Sequence, residues 1–224
     1  MTPGQARRVY DRLLACHGPQ HWWPADTAFE VMVGAVLTQN TAWRNVERAI
    51  ANLRADDLLD PRRLLACETA ALAARLRPSG YFNVKAARLQ ALCRWLVAAG
   101  GVEALAAWPT EKLRHALLAV KGVGPETADD ILLYAFHRPV FVIDAYTRRL
   151  FSRLGFCAPD AGYEALRHAF ERVLPPDVTL FNEYHALIVA QAKHVCRPRP
   201  CCADCCLRRD CPSAGSGVGE RSAG

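Results

Sequence analysis

The sequence predicts an all-α protein with short connections, and three observations carry that prediction. Apolar residues recur at three- and four-residue steps through most of the chain, the spacing that lines one face of a helix. Only residues 138–144, "RPVFVID", read as extended, a run too short and solitary to found a sheet. The separators are turn chemistry: "RPSG" at 77–80, "WPT" at 108–110, "KGVG" at 121–124 and "LPPD" at 174–177.

In order along the chain, the helical period covers residues 29–37 ("FEVMVGAVL"), 42–53, 84–100, 111–120 and 127–136. It continues through 145–155, 162–174 and 180–196. The last thirteen residues, "PSAGSGVGERSAG" (212–224), are small and polar, and disorder is expected there. At 224 residues and 51% hydrophobic, the chain can bury one sizeable core or two small ones. Its 28 Lys+Arg against 22 Asp+Glu leave a net charge of +6, which suits a polyanionic partner without demanding one. No apolar run reaches the ~18 residues of a membrane helix, and the N-terminal segment lacks the apolar core of a signal peptide. No membrane partner is expected, and a cytoplasmic address is.

Ten cysteines without a secretory signal argue against a disulfide framework. Cys16, Cys67, Cys93 and Cys157 stand among apolar residues and read as buried or half-buried thiols. The other six fall between 196 and 211 in "CRPRPCCADCCLRRDC".

The connection "KGVGPE" between 111–120 and 127–136 is short enough to force a tight helical hairpin. Gly122 and Gly124 permit backbone dihedrals and close approach that a side chain forbids. Pro125 suits the first position of the following helix, where its missing N–H is no loss. The amides at such a helix start make an anion site, although the Walker lysine and hydroxyl of a nucleotide-binding loop are absent. An interhelical turn without a ligand is equally compatible with these residues. Asp144, ending the extended run just before a helix, is a favoured N-cap. A sheltered cap carboxylate can also stabilise a sugar cation and guide water onto it, and the residues alone leave both roles open.

Together, "KGVGPETAD", then "VFVIDAYTRR", then the terminal cysteines resemble the helix-hairpin-helix DNA glycosylases of the endonuclease III superfamily, over about residues 20–211. "GAVLTQNTAW" (34–43) is similar to the loop whose glutamine enters the duplex beside the flipped base, and "RPSGYFNVKAARL" (77–89) to a second DNA-facing turn. The resemblance implies two lobes: a central helical barrel over 25–135 that contains the hairpin (111–136), and a cluster lobe from 1–24 plus 136–211. It implies that Asp144 is the catalytic carboxylate. Gln39 and Asn40 would enter the duplex, with Gln39 as the wedge. Lys85, Lys121, Gly122, Val123, Gly124 and Thr127 would hold DNA phosphates, with a monovalent cation as a further occupant of the hairpin. Double-stranded DNA containing damaged bases is the implied partner, and a monomer is expected.

Cys196, Cys202, Cys205 and Cys211 come close to the family's [4Fe–4S] spacing, one residue shorter in the first gap. Spacing alone does not choose between a cubane cluster and zinc, and the resemblance favours iron–sulfur. Cys201 and Cys206 are spares. In bifunctional members a lysine second after the last hairpin glycine forms a Schiff base with the sugar; here that position is Glu126. Hydrolysis without strand cleavage is therefore expected, with Glu126 as a helix-start acid or a contact to the base. Trp22, Trp23 and Trp43 resemble the indoles of the subgroup that excises 3-methyladenine and related alkylpurines, and can stack on a flipped cationic base or anchor the core. The alternatives are an endonuclease III-type glycosylase/lyase, an adenine mismatch glycosylase, and a non-catalytic damage-binding module.

Overall fold

A computed structural model describes residues 1–23 and 25–214. Among the described residues twelve α-helices follow one another: α1 (Pro3–His17), α2 (Ala28–Leu37), α3 (Trp43–Ala55), α4 (Pro61–Ala66), α5 (Thr69–Arg75), α6 (Phe82–Ala98), α7 (Gly101–Ala106), α8 (Thr110–Leu118), α9 (Pro125–Asp130), α10 (Ala145–Arg153), α11 (Tyr163–Glu171) and α12 (Val178–His194). Among the described residues no strand forms, and residues 138–144 run as irregular chain into α10. No described helix is long and apolar enough to cross a membrane. The helices beyond those read from periodicity, α1, α4, α5 and α7, are closed by other means. α1 opens on a capping box in which Thr2 and Gln5 exchange bonds, and α4 on an Asp60 cap followed by Pro61.

The chain divides into two compact units, Trp23–Arg138 and Met1–Trp22 with the chain from Pro139 onward. In the first, α2 is buried from Phe29 to Leu37 and is apolar all round, the mark of a helix enclosed on every side. Its one acid, Glu30, is 5% exposed and is met by Arg54 Nη2 at 2.7 and 2.9 Å. After α9 the helix continues as a π-turn over Ile131–Ala135, closed by Phe136 N–H donating to Ile131 O at 3.2 Å. In the second unit, Phe141 stacks on Phe170 with ring centres 4.1 Å apart, and Phe151, Phe181 and Tyr184 pack around them. The buried Tyr184 hydroxyl donates to Ala6 O at 2.9 Å, so α1 is fastened to α12 of the same unit. Pro212–Ala214, expected to be disordered, form a 3-10 turn; residues 215–224 of that tail lie outside the described residues.

Candidate functional site

The hairpin is the connection from α8 to α9. Gly122 takes φ +93°, and a Cβ there would overlap the side chain of Arg88, so two independent reasons require glycine. Gly124 is the N-cap of α9 and has no side chain with which to cap the first turn behind it. The two helices are stapled by an ion pair the periodicity did not reveal. Arg114 Nε and Nη2 donate to Asp129 Oδ1 and Oδ2 at 2.7 and 3.1 Å, with side-chain exposures of 9% and 0%. This bidentate contact fixes the angle at which the glycine turn is presented.

Several residues read as DNA contacts sit differently. Lys85 is 1% exposed, and its Nζ donates to Leu37 O at 2.9 Å and Ser79 O at 2.6 Å. It closes the end of α2 and the turn before α6, and a buried ammonium so engaged does not reach a phosphate. Burial pushes its pKa down to about 8, with repulsion from Arg88 adding to the effect. Val123 is buried, and its N–H is spent on Val120 O, so its amide is not offered to a ligand either. Thr127 is buried with its hydroxyl accepting from Gln39. Lys121, Gly124 and Glu126 are exposed, as is Asn40, which takes φ 54°.

Gln39 is half-buried and held against the hairpin. Its Nε2 donates to Gly122 O at 3.0 Å and to Thr127 Oγ1 at 2.9 Å, and its Oε1 accepts from Arg88. Among the described residues Tyr81 is the most exposed of the large apolar side chains. It is 71% exposed, in the left-handed region at φ 45°, at the start of α6. Sequence pattern did not single it out, although the preceding "RPSG" marked the turn that extends it.

The indoles divide between the units. Trp23 meets Trp43 edge-on at 5.0 Å and Tyr134 at 4.9 Å, packed against Gly34, while Trp43 Nε1 donates to Glu47 at 2.8 Å. Trp22 lies in the other unit with its ring 6.2 Å from that of His185.

Asp144 caps α10, its Oδ1 accepting from Thr147 N–H at 2.6 Å, and it is only 8% exposed. His185 of α12 faces it, with Nε2 3.5 Å from Oδ2. Burial pushes the Asp144 carboxyl up. The hydrogen bond and charge of His185 and the bonds from Thr147 outweigh it, and the group is held below the usual carboxylate value. Asp144 is thus both a cap and a sheltered carboxylate that stays ionised. A single histidine on the apolar face of α12 gave no pattern by which to find this partner.

Cys196, Cys202, Cys205 and Cys211, with Cys201, line a cavity of about 780 Å³. Donors already point at these sulfurs: Arg153 Nη1 at Cys196 Sγ (3.2 Å) and Gln191 Nε2 at Cys205 Sγ (3.1 Å). Such N–H to sulfur bonds stabilise thiolates. One tetrahedral zinc holds its sulfurs about 3.8 Å apart. Among the described residues no three of the quartet's sulfurs lie within 4.8 Å of one another, wider than that spacing.

Residues 33–176 match the family model described as HhH-GPD superfamily base excision DNA repair protein. A protein of Methanocaldococcus jannaschii that carries the provisional name DNA repair glycosylase is 46% identical over 211 residues, 92% of this chain and 95% of that protein. Among solved structures, an endonuclease III–DNA complex superposes with TM-score 0.84 at 23% identity, covering 96% of this chain and 98% of that one, and shows the shared fold. The 3-methyladenine DNA glycosylase of H. pylori, bound to 1,N6-ethenoadenine, gives TM-score 0.73 at 30% identity over 86% of this chain and 98% of its own.

Proposed function

This chain belongs to the HhH-GPD superfamily of base excision DNA repair proteins, and we propose that it is a monofunctional DNA glycosylase that hydrolyses the N-glycosidic bond of alkylated purines. The observation that carries the proposal is an ionised, sheltered Asp144 in a chain that has Glu126 at the position where the resemblance puts a Schiff-base lysine. Damaged duplex DNA is the substrate, and the target nucleotide is flipped out of the stack. The hairpin turn at Gly122 and Gly124 and the first-turn amides of α9 hold a backbone phosphate, aided by Lys121. As the bond from C1′ to the base nitrogen breaks, its electron pair leaves with the base and positive charge spreads over C1′ and the ring oxygen. The Asp144 carboxylate stabilises that charge and orients the water that bonds to C1′, giving up a proton and leaving an abasic site. An alkylated purine already carries positive charge, so its bond needs little leaving-group activation.

Tyr81, with its ring already outside, fits the wedge role better than Gln39, which would have to leave three hydrogen bonds. The half-buried indoles supply stacking faces suited to a cationic base, and the 30% likeness to a 3-methyladenine glycosylase supports that choice. Cys196, Cys202, Cys205 and Cys211 would hold a [4Fe–4S] cluster, which when bound cross-links the loop whose arginines can meet phosphates. Two assays test the reading. Purified protein on duplexes containing 3-methyladenine, 7-methylguanine, hypoxanthine, uracil or thymine glycol should release alkylated purines and form no borohydride-trapped adduct on abasic DNA. Asp144→Asn keeps a capping side chain and should lower base release by about 10²–10⁴-fold. A trapped adduct, or full release by that variant, rejects the mechanism.

A further inference from the structure

The cysteine loop leaves one thiol out of the cavity that five others line. Cys206 turns instead toward the end of α1. Its thiol lies within 4.8 Å of the Cys16 sulfur and donates to Gln191 Oε1 at 3.8 Å. His17 Nε2 stands 2.7 Å from the same oxygen. One donor atom each from Cys16, His17 and Cys206 lies within 4.8 Å of the other two, and the three are exposed or half-buried. Gln191 is fully buried, and its amide is oriented by the bond from Nε2 to Cys205 Sγ, so Oε1 is aimed at this trio.

We propose that Cys16, His17 and Cys206 form a second metal site, separate from the cysteine quartet, that takes a thiophilic divalent cation of the zinc class. Two thiolates and an imidazole are a soft donor set that selects zinc over magnesium or calcium. With zinc–sulfur and zinc–nitrogen bonds of about 2.3 and 2.0 Å, tetrahedral donors sit about 3.3–3.8 Å apart, so closing the trio needs shifts of about 1 Å. Rotation of exposed Cys16 and half-buried His17 about their side-chain bonds covers that range. Gln191 Oε1 supplies the fourth donor or hydrogen-bonds the water that does. Binding displaces the two thiol protons to solvent. The ion would clip the C-terminal end of α1 to the cysteine loop within one unit, and it accounts for a thiol that the quartet leaves over. A Cys16–Cys206 disulfide would use the same sulfurs but leave the imidazole and the aimed amide oxygen without a part.

The test incubates the full-length protein, purified anaerobically, with zinc sulfate or cobalt chloride and measures metal per chain after desalting. The wild type should retain about one zinc, with cobalt giving a thiolate-to-metal absorption band, and zinc should raise its Tm. Cys16→Ser and His17→Ala should each retain at least about tenfold less zinc and lose the zinc-dependent rise in Tm, with iron content unchanged. Absence of zinc from the wild type, or retention by both variants as high as the wild type's, overturns the site. So does loss of iron from Cys16→Ser, which would assign that thiol to the cluster. A zinc-free wild type about 2 Da lighter than its reduced mass would mean the disulfide instead. Because the readouts are zinc and Tm, failure here leaves the glycosylase proposal standing, and failed base release leaves this site standing.

Discussion

The hairpin between α8 and α9 is shaped by its backbone: a left-handed glycine and a second glycine as N-cap of the following helix. The Asp144 site in the other unit works through side chains, a carboxylate set by one partner at Thr147 and another, His185, from a helix distant in sequence. The two differ in what can disturb them. A backbone site is damaged by whatever changes the turn's angle, and a side-chain site by whatever changes the charge around one oxygen pair.

Four measurements sharpen that contrast. The largest effect is expected in Asp129→Ala, which removes a buried bidentate partner of the Arg114 guanidinium. Denaturant unfolding should show a loss of about 3–5 kcal/mol, and phosphate affinity of the hairpin should fall with it. Next is Tyr81→Ala. A side chain this exposed contributes little to the fold, so stability should hold while Kd for a damaged duplex rises roughly 5- to 150-fold, the equivalent of about 1–3 kcal/mol of stacking. An unchanged Kd would return the wedge role to Gln39.

His185→Ala acts on the side-chain site. Its hydrogen bond and charge lower the Asp144 pKa against burial, so without it the carboxyl titrates at higher pH and the acid limb of the excision profile moves up. For stability the depressed carboxyl contributes above its unfolded value of about 3.9, and that contribution is lost as pH falls through the folded pKa. In the variant the loss begins at a higher pH than in the wild type. An unmoved acid limb would mean that His185 does not set the charge on Asp144. The smallest effect separates two lysines: Lys121→Ala should reduce the slope of log affinity against log salt by about 1, whereas Lys85→Met should leave the slope alone and lower stability.

What could be read directly from the amino-acid order was whatever repeats locally. Periodicity found α2, α3, α6 and the helices from α8 onward, and glycine spacing found the hairpin. Cysteine spacing found a quartet that the fold gathers around one cavity. α4, α5 and α7 escaped because six or seven residues make too few turns to show a period, and α1 because its apolar face is narrow. Lys85, placed by pattern on a DNA-facing turn, proved to be buried, because the sequence does not say which carbonyls lie beneath a helix start. Arg114 with Asp129, Asp144 with His185, and Cys16 and His17 with Cys206 are likewise meetings between separate segments of the chain. A residue's type and its neighbours decide which helix face is apolar and which turn is possible. Only the packed fold decides which charge, thiol or carbonyl stands opposite, because pairing energy depends on distance in space and on the water excluded there.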